Sequence, residues 1–184
     1  MLRVRMLSGG DMGIPLEEME IDDVKGLKRH LSHLRGFPPK FRQRIFLDGK
    51  VLEDVAKLDC SMDLDLVLLN FAEVSQEQVY DFVAAAYHGR RAEVESKLQL
   101  PQDPDLMRTE GVTALMAASY GGRVEVVSLL LEARADTNLG NPDGDLHALI
   151  QACHGCHVEV VRLLLDAGAD ANVAGGRGNT PLMM

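Results

Sequence analysis

The sequence predicts two domains of different class: an α+β domain built from a small sheet and one helix, then an all-α solenoid of short helix pairs. Three observations predict this. Asp48-Gly49 stands between two short apolar runs in "RIFLDGKVL", the chemistry of a type I′ hairpin turn. Residues 113–138 and 147–172 align without a gap and are identical at 15 of 26 positions, at an offset of 34 residues. Self-similarity at a fixed period of this length marks a stacked repeat. The charge balance also steps near residue 73, from 11 Lys+Arg against 12 Asp+Glu before it to 8 against 16 after it. The predicted boundaries are 1–72 for the first domain, 73–78 for a short linker and 79–184 for the repeats.

Composition bounds the function. At 184 residues, 46% hydrophobic and 26% charged, the chain reads as folded, and with 4% aromatic residues and no Trp its core must be aliphatic. No apolar run approaches the ~18 residues that span a bilayer, and "MLRVRMLSGG" has no signal-peptide core. Three cysteines make no disulfide framework, so a reducing compartment is expected: the cytoplasm, with the nucleus also open. A net charge of −9, held mostly in the second half, argues against nucleic acid or an anionic membrane as partner.

In the first domain "LRVRML" alternates, with Leu2, Val4 and Met6 on one side and Arg3 and Arg5 on the other, as a half-buried strand does. Ser8-Gly9-Gly10-Asp11 reads as a turn, and "IPLEEMEI" as a second strand that Pro15 confines to a sheet edge. Asp22 or Asp23 caps a helix whose apolar stripe is Val24, Leu27, Leu31 and Leu34, with Gly36 at its left-handed end and Pro38-Pro39 as the stop. The hairpin follows, and then "DLDLVLLNF" as a last strand with Leu64, Leu66 and Leu68 inward. Alternation turns Phe46 and Val67 outward, where neighbouring strands can set them side by side within a rim of Arg44, Lys50 and Asp65.

The stretch "LRGFPPKFRQRIFLDGKVLEDVAKL" resembles the ubiquitin-like family in its Gly-x-Pro-Pro, Gln-Arg-x-Ile-Phe, Gly-Lys and Leu-Glu-Asp elements. The resemblance covers residues 1–71, with one inserted residue in "PKFRQ" and a longer first hairpin. It implies a β-grasp fold. It also implies that Phe46 and Val67, with Leu7, form the patch by which such domains contact ubiquitin-pathway and proteasome receptors. Phe46 replaces an aliphatic residue and Asp65 a histidine of the family pattern, which separates this patch from ordinary ubiquitin receptors. The alternative is that Phe46 and Val67 pack on the second domain. A conjugated modifier needs a terminal di-glycine, and Asn70-Phe71-Ala72-Glu73 stands in its place.

Each repeat unit holds a small-residue helix, then "VEVVxLLL", then a Gly/Asp/Asn loop. Residues 79–105 form a diverged first copy, and Gly178-Asn179-Thr180-Pro181-Leu182 opens a further one. These units resemble ankyrin repeats in Thr180-Pro181-Leu182, in Val124 to Val127 and Val158 to Val161, and in Gly168-Ala169-Asp170-Ala171-Asn172. Two departures stand out: Arg134 occupies the loop glycine's position, and an extra residue lies between Gly144 and His147. The resemblance implies that first helices and loop tips form a protein-binding face. Here that face would present Met107, Arg108, Glu110, Tyr120, Asn141, Asp143, Asp145 and the 175–179 loop, an acidic, mixed surface for a basic or amphipathic protein client.

Cys153-His154-Gly155-Cys156-His157 has the spacing of a haem-attachment motif and of a zinc half-site. The repeat register gives it another meaning. Cys153 aligns with Ser119 on a helix, Cys156 with Gly122 in the tight turn, and His157 is the family's usual turn histidine, whose ring bonds nearby backbone. No cofactor or metal is therefore expected. Catalysis finds no support either: Cys60 has no histidine at a suggestive spacing, His147 and Cys153 do not share a helical face, and Glu17, Glu18 and Glu20 read as a solvated edge. The expected function is a non-enzymatic adaptor, with a client on the repeats and ubiquitin–proteasome machinery on the first domain. The alternative is the N-terminal regulatory or docking region of a longer enzyme such as a ligase or kinase. The uncapped end "TPLMM" is what a fragment would show. A third reading keeps the first domain as a scaffold with no pathway link.

Overall fold

The computed structural model describes residues 2–6, 11–14, 21–34, 37–59, 62–100, 102–175 and 178–183. The chain divides into two compact units, Met1–Phe71 and Ala72–Met184.

Among the described residues the first unit contains strands β1 (Leu2–Met6), β2 (Asp11–Ile14), β3 (Gln43–Leu47), β4 (Lys50–Val51) and β5 (Asp63–Leu68), and the helix α1 (Val24–His33). The five strands form a mixed sheet in the order β2-β1-β5-β3-β4. β1 and β5 are parallel, and the other neighbours are antiparallel. A parallel pair needs a crossover connection, and α1 lies within it. Its stripe of Val24, Leu27 and Leu31 joins Leu2, Val4, Ile14, Ile45, Leu64 and Leu66 in one buried cluster. Each such side chain contributes roughly 1.5–3 kcal/mol on full burial.

The start of α1 is closely satisfied. Asp23 is its N-cap, accepting from the Gly26 amide at 2.7 Å. The Val24 and Lys25 amides donate to the Ala56 and Asp54 carbonyls. Lys28, buried on the helix, reaches Asp54 with Nζ at 2.6 Å. At the hairpin tip Asp48 and Gly49 have φ of 50° and 76°, the two left-handed residues a type I′ turn requires.

Three expectations for this unit need correction or fall outside view. β2 begins at Asp11, earlier than "IPLEEMEI", and pairs Leu2 with Ile14; it is the edge strand, but Pro15 lies outside the described residues. α1 ends at Leu34 in extended backbone, φ −75° and ψ 144°, and Gly36 is likewise outside them. Leu68, expected inward, is 43% exposed. It occupies the last rung of β5, opposite Gln43. The Gln43 amide is fully buried there and donates to the Pro38 carbonyl at 2.8 Å, so a polar group closes the core at that end.

Among the described residues the second unit holds three helix pairs: α2 (Gln76–Tyr87) with α3 (Arg91–Gln99), α4 (Ala114–Tyr120) with α5 (Val124–Glu132), and α6 (Ala148–His154) with α7 (Val158–Asp166). A short 3-10 turn at Pro181–Met183 follows. The first helix of each pair buries alanines and a few larger residues, among them Phe82, Ala85, Ala86, Leu115, Ala118, Leu149 and Ala152. Small side chains let neighbouring backbones approach. The second helices bury Val94 and Leu98, Val127 and Leu130, and Val160 and Leu164. Ser75 and Gln78 form a capping box on α2, and Thr113 caps α4 by accepting from the Met116 amide. At α6 the N-cap is His147, which makes no capping bond.

The Gly/Asp/Asn loops link the repeats through a continuous chain of hydrogen bonds. Asp105 Oδ1 accepts from the Asp136 amide at 2.8 Å, Asp136 Oδ1 from the Asn138 amide at 2.9 Å, Asn138 Oδ1 from the Asp170 amide at 2.7 Å, and Asp170 Oδ1 from the Asn172 amide at 2.9 Å. This is why each loop needs a short side-chain acceptor at both positions. Arg134 has φ of 62° where Gly168 has 89°, so the departure noted in sequence does place a side chain in left-handed backbone.

Candidate functional site

The outer face of the first unit's sheet follows from its register. Arg44 pairs with Val67, and Phe46 with Asp65. Cross-strand partners share a face, so Phe46 and Val67 are diagonal neighbours. Both are half-buried. Asp65 also pairs with Arg5 of β1, Nε to Oδ1 at 3.9 Å. Arg44 donates to the Phe41 and Gln43 carbonyls, which holds its guanidinium against the backbone. Lys50 does not join this set. It pairs with Leu47, and Val51, 54% exposed, takes the rung beside Phe46. A two-residue turn forces that register, so Val51 was legible from Asp48-Gly49. Leu7 lies outside the described residues.

In the second unit the expected face resolves into a groove and three turns. The turns close with Gly111 N to Arg108 O, Gly144 N to Asn141 O and Gly178 N to Gly175 O. At the first, Arg108 stacks its guanidinium 4.6 Å from the Tyr80 ring centre and donates to Glu110 at 3.1 Å. The Tyr80 hydroxyl donates to Glu110 at 3.0 Å and lies 2.6 Å from the Thr109 hydroxyl. These contacts, the Arg108 bond foremost, hold the Glu110 carboxyl down at about 2. Met107 bridges to Thr113 and is half-buried, whereas Asp143 and Asp145 are exposed.

Asn141 corrects the sequence reading. It is buried, and its Oδ1 accepts from the Asp145 and Leu146 amides at 2.7 and 2.8 Å. It therefore accommodates the extra residue between Gly144 and His147 and is not displayed to a partner.

Between the turns and the first helices runs a groove of about 370 Å³, lined by residues of α2, α4 and α6 and of the turn bases. Two repeat columns form it. Ala84, Ala117 and Gln151 are one column; Tyr87 and Tyr120 are the other, their rings 6.3 Å apart and 18° from parallel, and the His154 ring lies 6.0 Å from Tyr120 outside the lining. Val112 and Leu146 line it from the turns. Of the groove's lining, Arg108 and Tyr120 were expected from sequence on this face, although offsets of 33 and 34 place Ala84, Ala117 and Gln151, and Tyr87 and Tyr120, in common columns.

The turn between paired helices accounts for the Cys-x-x-Cys-His stretch. Gly89, Gly122 and Cys156 occupy equivalent positions with φ of 74°, 64° and 55°. His157 Nε2 lies 3.0 Å from the Tyr120 carbonyl, which can only accept, so Nε2 carries the proton. One repeat earlier Arg123 Nε donates to the Tyr87 carbonyl at 2.9 Å, the same clasp with a different side chain. His154 is exposed, with its ring 6.0 Å from that of Tyr120. Burial, and then the neighbouring Cys156, pushes the Cys153 thiol above its ordinary value, which disfavours the thiolate that metals require. Among the described residues no group of three or more His, Cys, Asp or Glu is placed to hold a metal ion, and no helix is long and apolar enough to cross a membrane.

A family model for ankyrin repeats matches three copies across residues 82–175. No curated protein matches the chain.

Proposed function

The chain belongs to the ankyrin-repeat family, and from that premise we propose that it is a non-enzymatic adaptor whose repeats bind a protein client while its N-terminal unit contacts ubiquitin–proteasome machinery. The protein-binding half rests on the family and on the open groove along the first helices. The N-terminal half rests on the strand order β2-β1-β5-β3-β4 with its parallel β1–β5 pair, on α1 in the crossover, and on the sequence resemblance over residues 1–71. The observation that carries it is the outer sheet face. Phe46 and Val67 are diagonal neighbours, Val51 extends the apolar strip, and Arg5, Arg44 and Asp65 surround them. A small apolar patch with a charged rim is the form of a contact surface.

The test is a lysate pull-down with the native chain and with a Phe46→Ala/Val67→Asp variant shown by circular dichroism to be folded. Proteasome or ubiquitin-ligase subunits recovered by the native chain and lost from the variant uphold the reading. If both recover the same proteins, the sheet face is not the contact and the pathway link falls.

A further inference from the structure

We propose that Cys153 and Cys156 form a reversible oxidation site: the pair closes to an intramolecular disulfide by exchange with a small-molecule disulfide of the glutathione class. This lies beyond the protein-binding reading and does not depend on it. α6 ends in a Schellman motif, with the His157 amide donating to the Ala152 carbonyl and the Cys156 amide to the Cys153 carbonyl, each at 2.9 Å. The two cysteines are therefore the ends of the inner hydrogen-bonded turn. Such a turn holds its end Cα atoms within about 7 Å, and a disulfide spans roughly 4.4–6.8 Å between Cα atoms. Burial raises the Cys153 thiol first and the charge of Cys156 second, so the two sulfurs are close enough to interact.

The first two repeats offer no counterpart. The same positions are Ala86 and Gly89 in the first and Ser119 and Gly122 in the second. Ser119 is fully buried, and a Cβ on Gly122 would stand 2.5 Å from the His157 ring. In the third repeat both residues are free thiols, Cys153 half-buried and Cys156 exposed.

Exposure gives Cys156 the first step. Its thiolate attacks one sulfur of glutathione disulfide and the S–S bond breaks. One glutathione thiolate leaves and takes a proton from solvent, while Cys156 stays in a mixed disulfide. Cys153 then gives its proton to solvent and attacks Cys156 Sγ, expelling the second glutathione thiolate. The protein dithiol is oxidised by two electrons, and glutathione disulfide is reduced to two thiols. Burial makes Cys153 a poor first thiol. A thiolate of higher pKa is the stronger nucleophile once formed, which suits Cys153 to the closing step.

The test equilibrates the full chain with glutathione and glutathione disulfide over a range of ratios, natively and in urea. Acid quenching, alkylation of free thiols and mass-spectrometric mapping follow. A Cys153–Cys156 disulfide is expected, with Cys60 still alkylated. It should close in the folded chain at a proportion of glutathione disulfide on the order of ten-fold lower than in urea, since the turn supplies the effective concentration. Cys153→Ser, which matches Ser119 of the second repeat, should stop at a glutathione adduct on Cys156. Cys156→Gly, which matches Gly122, should leave Cys153 acquiring its adduct roughly ten-fold more slowly. Two thiols that stay free, adducts that do not close, or a bridge to Cys60 or between chains overturns the proposal. So does closure at the same ratio in urea, because the Cys-x-x-Cys spacing alone then suffices. An adduct forming as fast in Cys156→Gly as in Cys153→Ser overturns the role of Cys156 as the entering thiol.

Discussion

Replacing Cys156 by glycine distinguishes a turn residue from a ligand, because the two roles predict opposite signs. Cys156 has φ of 55°, in line with Gly89 and Gly122 at the same turn. A side chain in left-handed backbone costs roughly 1–2 kcal/mol. Glycine removes that cost but adds roughly 0.5–1 kcal/mol of chain entropy to the unfolded state. The Cys156 side chain is exposed, so little burial is lost. The net expectation is a gain of about 0.5–1 kcal/mol, a rise of a few degrees in Tm for a unit of this size. Urea unfolding followed by circular dichroism, with and without a chelator, measures it. The contrasting variant is Gly122→Ala. There φ is 64° and a Cβ would stand 2.5 Å from the His157 ring, so a loss of more than about 2 kcal/mol is expected. A Cys156→Gly variant less stable than the native chain, or a native stability that falls on chelation, would refute the reasoning and restore the metal reading.

Two further substitutions test the repeat chemistry. His147→Thr should return the capping hydroxyl that Thr113 supplies one repeat earlier, and should remove a buried imidazole nitrogen without a hydrogen-bond partner. A gain of about 1 kcal/mol in urea unfolding is expected, and a loss would show that the imidazole's packing outweighs the cap. Asp105→Asn keeps the acceptor for the Asp136 amide and matches Asn138 and Asn172 in the same column. Burial chiefly, with repulsion from Asp103 and Asp136, raises the Asp105 carboxyl above 3.8. A raised acid keeps its proton in the folded chain after the unfolded chain has lost it, so its contribution to stability falls as pH rises from 3.8 through the folded value. The asparagine variant should therefore be the more stable at pH 7. That advantage should shrink below the ordinary carboxylate value. A native chain more stable at pH 7 than the variant would contradict this.

Local chemistry and repetition were readable from the residues alone. Asp48-Gly49 dictated a turn because both positions need positive φ, and with it the pairing of Leu47 with Lys50. Alternation in β1 and the stripe on α1 identified the faces that water would not cover. The 34-residue offset assigned Cys153 to a helix and Cys156 to a tight turn, since a residue repeated in register inherits its neighbour's geometry, while the backbone clasp of His157 was implied by the resemblance to ankyrin repeats. What the residues did not show depends on which groups meet across loops and repeats. Asn141 has the composition of an exposed turn residue, yet an inserted residue folds back onto its side chain and buries it. Leu68 has the alternation of a core residue, yet its partner at the end of the sheet is the buried amide of Gln43. The groove exists because two alanines and two tyrosines stack in columns, and a column is a property of the stack that no single repeat displays. Sequence sets which conformations are cheap; the tertiary contacts set which side chains lose their water.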